Sequence, residues 1–371
     1  MQSRSIIAFF SLLFVALFSG YADEPLNQKL WEAIKQGDVE SVARFVESGA
    51  DATAVIEKGK TSTTLAAEEG NLEVLKLLLE DEESLSRTDA YGFGLLSLAS
   101  KRGHLDLVKY LLDRGMDIDA PSGYRFQTPL MAAAEGGNLE VVKFLVEKGA
   151  DVGYANQTGQ SVIMGAKGGD LVRYLVEQGA EISRKNELGF TATTFAVFNG
   201  NQESLKALLE LGADPYSEAR HGEPILYEAI RQGWNDLSKI IIEAGFSLEK
   251  ETYGTTPFQA AAKAGQLELL RYMVSKGVNP KDQPQAIILA AVQGRTDTVE
   301  WLLNEGIPVD YQDARFGQSP LYIAVSNQKI ETVKLLLENG ANVELQDKRG
   351  TSPLSKAVQI KNAELVALLE E

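Results

Sequence analysis

Thr128-Pro129-Leu130-Met131-Ala132-Ala133-Ala134, followed by Gly137, is the stretch of sequence that decides the fold. The Thr128 side chain can accept a hydrogen bond from the free amides at the start of a helix. Pro129 fits the first helical position, where its missing N–H costs nothing. The glycine then closes the helix. The stretch therefore predicts a short helix whose two ends are both specified by sequence.

The same pattern recurs along the chain. Thr256-Pro257-Phe258 and Ser319-Pro320-Leu321 repeat the start signal, and a small residue occupies the position of Ala133 at a spacing close to 33 residues. Self-similarity at this period is typical of an array of helix-turn-helix repeats. The equivalent residues are Ala33, Ala66, Ala99, Ala133, Ala166, Ala196, Ala229, Ala261, Ala290, Ala324 and Ala357.

A second helix is predicted after each of these short helices. Its apolar residues recur at helical spacing, as in Val108/Leu111/Leu112, and such a stripe is expected to face the neighbouring repeats. Gly149-Ala150-Asp151 shows how this helix ends, at a glycine suited to a left-handed cap. An extended segment then leads to a turn glycine, such as Gly159, before the next start signal.

These features together resemble the ankyrin-repeat family, whose motif runs G-x-T-P-L-H-x-A-A-x-x-G and then, after a second helix, G-A-D/N. The resemblance covers about residues 25–371 and implies an all-α ankyrin-repeat solenoid of about eleven helix-turn-helix repeats with finger loops. The motif's histidine is absent from every repeat, so its hydrogen bonds must be replaced or missing. Two spacings are short, and we expect the stack to bend or lose its regularity at residues 165–172 and 278–287.

The first 22 residues differ from the rest of the chain. Arg4 gives a positive start, Ile6 to Phe18 is an apolar run interrupted only by Ser11, and Gly20-Tyr21-Ala22 offers small residues before Asp23. This pattern predicts a secretory signal peptide at 1–22 and an ankyrin-repeat domain at 23–371. A membrane anchor is the alternative, but the apolar run covers only about two-thirds of the ~20 residues that cross a bilayer.

Composition narrows the classes of partner. The net charge is -16, with 52 acidic against 36 basic residues, so the average surface repels nucleic acid and anionic lipid. The chain has no cysteine, which excludes disulfides, thiolate metal ligands and a thiol nucleophile. An exported protein without disulfides fits a bacterial periplasm or secretion route, and we expect it to be periplasmic or secreted.

No constellation in the sequence predicts catalysis, a cofactor, a metal site or a small-molecule substrate. The chain has only two histidines: His104 follows Gly103 at a repeat position and is interpreted as structural, and His221 as a surface or contact residue. Gly59-Lys60-Thr61 imitates the end of a phosphate-binding loop but lacks its earlier glycine. The acidic run at 81–83 lacks the alternating oxygen ligands of a calcium loop.

Aromatic and basic side chains concentrate at the tips between repeats and on the exposed face of the first helices. Such residues dominate protein interfaces because they bury much area at little entropic loss. Bracing of one finger against the next is the alternative role, and it is equally good for any single residue; recurrence over several repeats favours a shared surface. The candidate partner-binding residues are Tyr91, Phe93, Lys101, Arg102, Tyr124, Arg125, Phe126, Phe190, Phe198, Arg231, Tyr253, Arg315 and Phe316.

The sequence therefore predicts a protein-protein interaction module that acts outside the cytoplasm and binds another protein through its finger tips and concave helix face. Two alternatives stay open. A secreted effector that engages a host protein would be found outside the cell. A hydrolase built on an ankyrin-like scaffold would need an insertion carrying acid, base and nucleophile, and the repeats leave no segment for one.

Export of the chain should cleave it after Ala22, because Gly20 and Ala22 meet the small-residue requirement and Asp23 begins the polar part. Intact mass measurement of the protein purified from its native source tests this prediction. A product that keeps residues 1–22 and fractionates with membranes would show that the segment is an anchor.

Overall fold

The computed structural model describes residues 24–57, 59–79 and 83–370. The predicted signal peptide and the first two residues of the acidic run at 81–83 lie outside the described residues. The chain divides into two compact units, the first ending at Ala192 and the second beginning at Thr193. Each unit is described by itself.

The first unit consists of helices joined in pairs by tight turns. Its helices are α1 (Glu24–Gln36), α2 (Val39–Glu47), α3 (Ser62–Glu69), α4 (Leu72–Leu78), α5 (Leu95–Arg102), α6 (Leu105–Asp113), α7 (Pro129–Gly136), α8 (Leu139–Glu147), α9 (Val162–Gly165) and α10 (Gly169–Glu177).

The second unit continues the same alternation, and α11 begins at the boundary. Its helices are α11 (Ala192–Phe198), α12 (Gln202–Glu210), α13 (Ile225–Gln232), α14 (Asn235–Glu243), α15 (Pro257–Ala264), α16 (Leu267–Ser275), α17 (Gln285–Gln293), α18 (Thr296–Asn304), α19 (Pro320–Ser326), α20 (Ile330–Glu338), α21 (Pro353–Gln359) and α22 (Ala363–Glu370). The described residues thus form eleven helix pairs, which confirms the predicted all-α array of about eleven helix-turn-helix repeats.

Packing follows the order of the pairs. In the first unit α5 packs on α3 and α7, and α8 packs on α6 and α10; in the second unit α15 packs on α13 and α17. The first helix of a pair is buried almost throughout, and Pro129 to Ala134 of α7 are all buried. The second helix is buried along one stripe, which in α6 consists of Leu107, Val108 and Leu111. Within each unit, both kinds of helix therefore contribute to a core that runs from pair to pair.

Both ends of α7 form as the sequence predicts. The Thr128 hydroxyl accepts a hydrogen bond from the Met131 N–H at 3.3 Å, and Pro129 occupies the first turn. Gly137 ends the helix at φ 79°, in the left-handed region where a side chain would be strained. Thr256 caps α15 in the same way. The Gln259 side chain accepts a hydrogen bond from the Thr256 N–H, which completes a capping box.

The extended segments form short hairpin-like fingers, as predicted. The strands β1 (Val55–Glu57) and β2 (Lys60–Thr61) pair antiparallel. Single antiparallel bridges take their place in later fingers, such as Thr88 with Gly94 and Ser122 with Gln127. Three-residue 3₁₀ turns lie at Arg220–Gly222 and Pro280–Asp282, and a four-residue turn lies at Glu83–Ser86.

The two short spacings break the regularity where predicted. At the first, α9 keeps only four residues, and the Lys167 N–H donates to the Ala134 carbonyl of the preceding repeat at 3.1 Å. At the second, the 3₁₀ turn Pro280–Asp282 replaces the finger, and the Gln283 side chain accepts the Thr256 hydroxyl at 2.9 Å. At both places a hydrogen bond to the preceding repeat accompanies the shortened segment.

Polar side chains after the first-helix glycines bond successive repeats together. Asn138 Nδ2 donates to the Ser100 and Lys101 carbonyls at 3.1 and 2.8 Å, and His104 Nε2 lies 2.7 Å from the Glu68 carbonyl. These carbonyls are at helix ends, where no intrahelical partner exists. The structural role predicted for His104 is confirmed.

Other residues occupy the position of the family's histidine, and several of their side chains donate hydrogen bonds to backbone carbonyls of the next finger. The Tyr227 hydroxyl donates to the Thr255 carbonyl at 2.7 Å, and the Thr194 hydroxyl donates to the Glu218 carbonyl at 2.8 Å. Met131 occupies the same position without a polar group. The missing hydrogen bonds are therefore replaced in some repeats and lost in others, as the sequence indicated.

Replacement of Leu111 by alanine should lower the free energy of unfolding by ~2–5 kcal/mol, because the side chain is fully buried and its loss leaves a cavity. Urea unfolding followed by circular dichroism measures this. Leu188→Ala removes the same atoms in the same unit from a side chain that is 74% exposed, so its unfolding midpoint should match the parent protein. Equal losses in the two variants would contradict the proposed packing.

Candidate functional site

Two neighbouring fingers of the first unit meet through aromatic side chains. The rings of Phe93 and Tyr124 lie edge to face, with centroids 6.2 Å apart. The Gly123 N–H donates to the Gly92 carbonyl at 2.7 Å, and a Cβ on Gly123 would lie 2.5 Å from the Phe93 ring. Only glycine allows this approach. Phe93, a predicted partner-binding residue, thus braces the next finger.

Other aromatics on these fingers face solvent. Tyr91, Tyr124 and Phe126 are 59%, 65% and 41% exposed. Arg125 lies over the Tyr124 ring at 5.1 Å, and the Phe126 carbonyl accepts the Tyr154 hydroxyl at 3.2 Å. We call Tyr91, Tyr124, Arg125 and Phe126 the finger patch. The structure thus brings together four of the predicted residues on adjacent fingers.

The two predicted cations of α5 are held by carboxylates. Lys101 lies 3.3 Å from Glu135 and 5.9 Å from the centre of the Phe93 ring. Arg102 pairs with Glu68, which also pairs with Lys60. Burial opposes ionisation of Glu68, but these two cations outweigh it and hold its pKa below the usual value. Arg102 and Lys60 therefore share a single carboxylate.

The second unit contains a cavity of about 640 Å³ lined by two predicted residues, Arg231 and Tyr253. Arg231 pairs with Glu223 at 2.7 Å and with Glu228. Tyr253 is 74% exposed, and its hydroxyl donates to the His221 carbonyl at 2.5 Å. Tyr253 thus joins one finger to the previous one while its ring stays accessible. His221 contributes its backbone to this contact.

The remaining predicted residues do not line this cavity or belong to the finger patch. Phe198 is half-buried, and the guanidinium of Arg220 lies 5.5 Å from the centre of the Phe198 ring. Phe190 is half-buried in the last finger of the first unit. Arg315 stacks 4.8 Å from the centre of the Phe316 ring, and Phe316 is 42% exposed.

Comparison with known proteins agrees with the helix pairs, their caps and their fingers. A family model for three copies of the ankyrin repeat matches residues 30–122, 130–219, 194–284 and 285–371. The chain belongs to the ankyrin-repeat family. Ankyrin repeats are protein-interaction modules, so the exposed side chains of the fingers are candidates for contact with a protein.

Relatives from several kingdoms share these repeats. A putative ankyrin repeat-containing protein of Treponema pallidum is 29% identical over 170 residues, 44% of this chain and 54% of that protein. Ankyrin repeat and SOCS box protein 11 of Mus musculus is 32% identical over 125 residues, 33% of this chain and 38% of that protein. The E3 ubiquitin-protein ligase KEG of Arabidopsis thaliana is 26% identical over 193 residues, 47% of this chain and 12% of that protein. The chain spans 54% or less of each of these relatives.

The side chains that shape these ankyrin fingers were not predicted from the sequence. Asp89 Oδ1 accepts the backbone N–H groups of Tyr91 and Phe93, each at 2.9 Å, and is itself buried. Such a turn fixes where the tip aromatics project. Its signal is an aspartate or asparagine three or four residues before the turn glycine. The residues in this role are Asp89, Asn156, Asn186, Asp313 and Asp347.

Within the described ranges, no group of three or more histidine, cysteine, aspartate or glutamate side chains is placed to hold a metal ion. No helix among these residues combines the length and apolar character needed to cross a membrane.

Asp347 should make the fold sensitive to acid. Burial opposes its ionisation, but the N–H groups of Thr351 and Arg349 outweigh burial and hold the Asp347 pKa below its ordinary 3.8. A carboxylate with a lowered folded pKa stabilises the fold above its unfolded pKa, and that contribution disappears as the pH falls through the folded value.

Asp347→Asn should therefore reduce the loss of stability between about pH 7 and about pH 3. An asparagine oxygen accepts the same two backbone bonds, as Asn186 does in its own finger. Urea midpoints of both proteins at the two pH values measure the difference. Identical pH dependence in the two proteins would rule out Asp347 as a source of it.

Proposed function

We propose that this ankyrin-repeat protein recognises another protein outside the cytoplasm, and that the finger patch of the first unit is the centre of the contact. The observation that carries the proposal is the exposure of Tyr91, Tyr124 and Phe126 on adjacent fingers. Exposed aromatic groups with a stacked arginine are typical of the residues that contribute most to protein binding.

The backbone beneath the finger patch supports this proposal. Asp89 fixes one finger tip, and the Gly123-to-Gly92 hydrogen bond joins it to the next. A surface held in this way loses little conformational entropy on binding, so more of the contact energy goes into affinity. The patch therefore presents preorganised aromatic groups to a partner.

Charge sets a second condition on the partner. The chain carries a net charge of -16, so a partner with a basic surface around its contact would be attracted over a distance of several ångströms. The paired cations Lys101 and Arg102 would then lie at the rim, where ion pairs contribute more to association rate than to complex lifetime.

The location outside the cytoplasm rests on residues 1–22. Their positive start, apolar run and small-residue end support export of the chain into the periplasm or the medium. A periplasmic location favours a partner of the cell's own envelope, whereas release into the medium favours an effector that meets a host protein. Fractionation of cells that express the full chain distinguishes these two locations.

Removal of the exposed aromatics should weaken partner binding without unfolding the protein. We expect the double variant Tyr91→Ala/Tyr124→Ala to keep the parent helical content and to lose about 2 kcal/mol of binding free energy, because hot spots of this type contribute that much. The partner is captured by crosslinking to the exported parent protein, identified, and then titrated against each variant by calorimetry.

Two further variants serve as controls. Leu211→Ala shortens an exposed apolar side chain at the end of α12, outside the finger patch, and should leave binding unchanged. Phe93→Ala removes the brace beneath Gly123 and should lower the melting temperature. Parent-like affinity in the double variant would place the binding site elsewhere on the protein.

A further inference from the structure

The cavity of the second unit carries two cations that no carboxylate compensates. Arg231 at its wall is paired with Glu223 and Glu228. Lys263 and Arg295 also line the cavity, and within the described part of the chain neither has an ion pair or side-chain hydrogen bond. The charged side chains on the lining are Glu223, Arg231, Lys263 and Arg295. The cavity therefore has excess positive charge in a protein whose net charge is -16.

The position of Arg295 in its repeat shows why its charge is unused by the fold. It follows the glycine that ends a first helix, where Asn138 and Gln266 bond carbonyls of the preceding repeat. Among the described residues Arg295 makes no such bond; instead its stem packs over Gly265, and a Cβ on that glycine would lie 2.7 Å from Arg295 Cδ. The stem thus replaces the structural contact, and the guanidinium remains available to a ligand.

The rest of the lining suits a peptide. Tyr253, Ala260 and Ala264 provide aromatic and apolar surface, and Thr252 and Gln293 provide polar groups beside it. The volume of about 640 Å³ lies within the ~300–1,000 Å³ of typical ligand pockets. An anion held by charge alone would not need this apolar surface, whereas a peptide uses both the charge and the surface.

We propose that this cavity binds an acidic segment of a partner protein, with aspartate or glutamate carboxylates on Lys263 and Arg295 and neighbouring residues against Tyr253. This inference rests on the proposed function, because it gives the partner a chemical class. Charge complementarity selects the occupant. The net negative charge of the chain repels an acidic segment from the average surface, and the two unpaired cations attract it here.

Selection from a random peptide display library tests the proposal with the full mature chain. Peptides that bind the parent protein should be enriched in aspartate and glutamate. The double variant Lys263→Gln/Arg295→Gln, which keeps the packing stems, should lose this enrichment. It should also bind a selected peptide at least about tenfold more weakly, since a charged pair at an interface contributes this much or more.

A matched control removes two cations that do not line the cavity. Arg271 on α16 and Lys361 after α21 are exposed, so Arg271→Gln/Lys361→Gln should retain the acidic enrichment and the affinity. Replacing each glutamate of a selected peptide by glutamine should weaken binding to the parent protein but not to the cavity variant. Circular dichroism and melting temperature confirm that all variants are folded.

The outcomes separate this proposal from the proposed function. Selected peptides without acidic enrichment, or an enrichment that survives in the cavity variant, overturn the acidic-segment proposal and leave protein recognition intact. Inhibition of peptide binding by inorganic phosphate at equal concentration would show a site for free anions, and would also overturn it. Loss of the captured partner in Tyr91→Ala/Tyr124→Ala with unchanged peptide binding would show that the two sites are separate.

Discussion

Each described helix after α1 has nine residues or fewer, a length at which an isolated helix is not stable in water. Burial between repeats is therefore what allows the helices to exist. The first helices are buried on nearly all sides, so they need small side chains, and the alanines around Ala133 meet that need. Start signals, glycine ends and apolar stripes are all consequences of fitting short helices between neighbours.

This dependence on neighbours also explains the polar side chains between repeats. A short helix has a large share of unpaired carbonyls at its end. Asn138 and His104 satisfy carbonyls of the preceding repeat, and Tyr227 satisfies one in the next finger. The hydrogen bonds thus run in the same direction as the apolar contacts. Interfaces between repeats are specified by both, which fixes the spacing of successive fingers.

The sequence was sufficient for the fold because its signals are local. Thr128, Pro129 and Gly137 act within one turn of their own helix, and repetition strengthens a pattern that is weak in a single copy. The roles of the aromatics were not predictable in this way. Phe93 braces a finger because Gly123 of the next repeat approaches its ring, and Tyr91 lacks such a neighbour. That distinction depends on contacts between residues about thirty positions apart.

The lining of the cavity likewise depends on contacts between repeats that the sequence does not predict. Arg231 and Tyr253 were predicted as contact residues from their types and positions, but their partners could be assigned only from the structure. Arg295 was not singled out, because its position after Gly294 indicates a structural residue such as asparagine or histidine. At this position Asn138 and Gln266 bond a carbonyl of the preceding repeat. Among the described residues Arg295 makes no such bond, and only the structure shows this difference.

The four-residue α9 has a consequence for how the array opens. In a linear array each repeat is stabilised only through its two interfaces, so a repeat with less helix couples its neighbours more weakly. Amide hydrogens around Val162–Gly165 should then exchange with solvent through local openings that leave α7 and α8 closed. The repeats before and after α9 would then unfold in separate transitions. Proteolysis of the first unit would begin at this repeat.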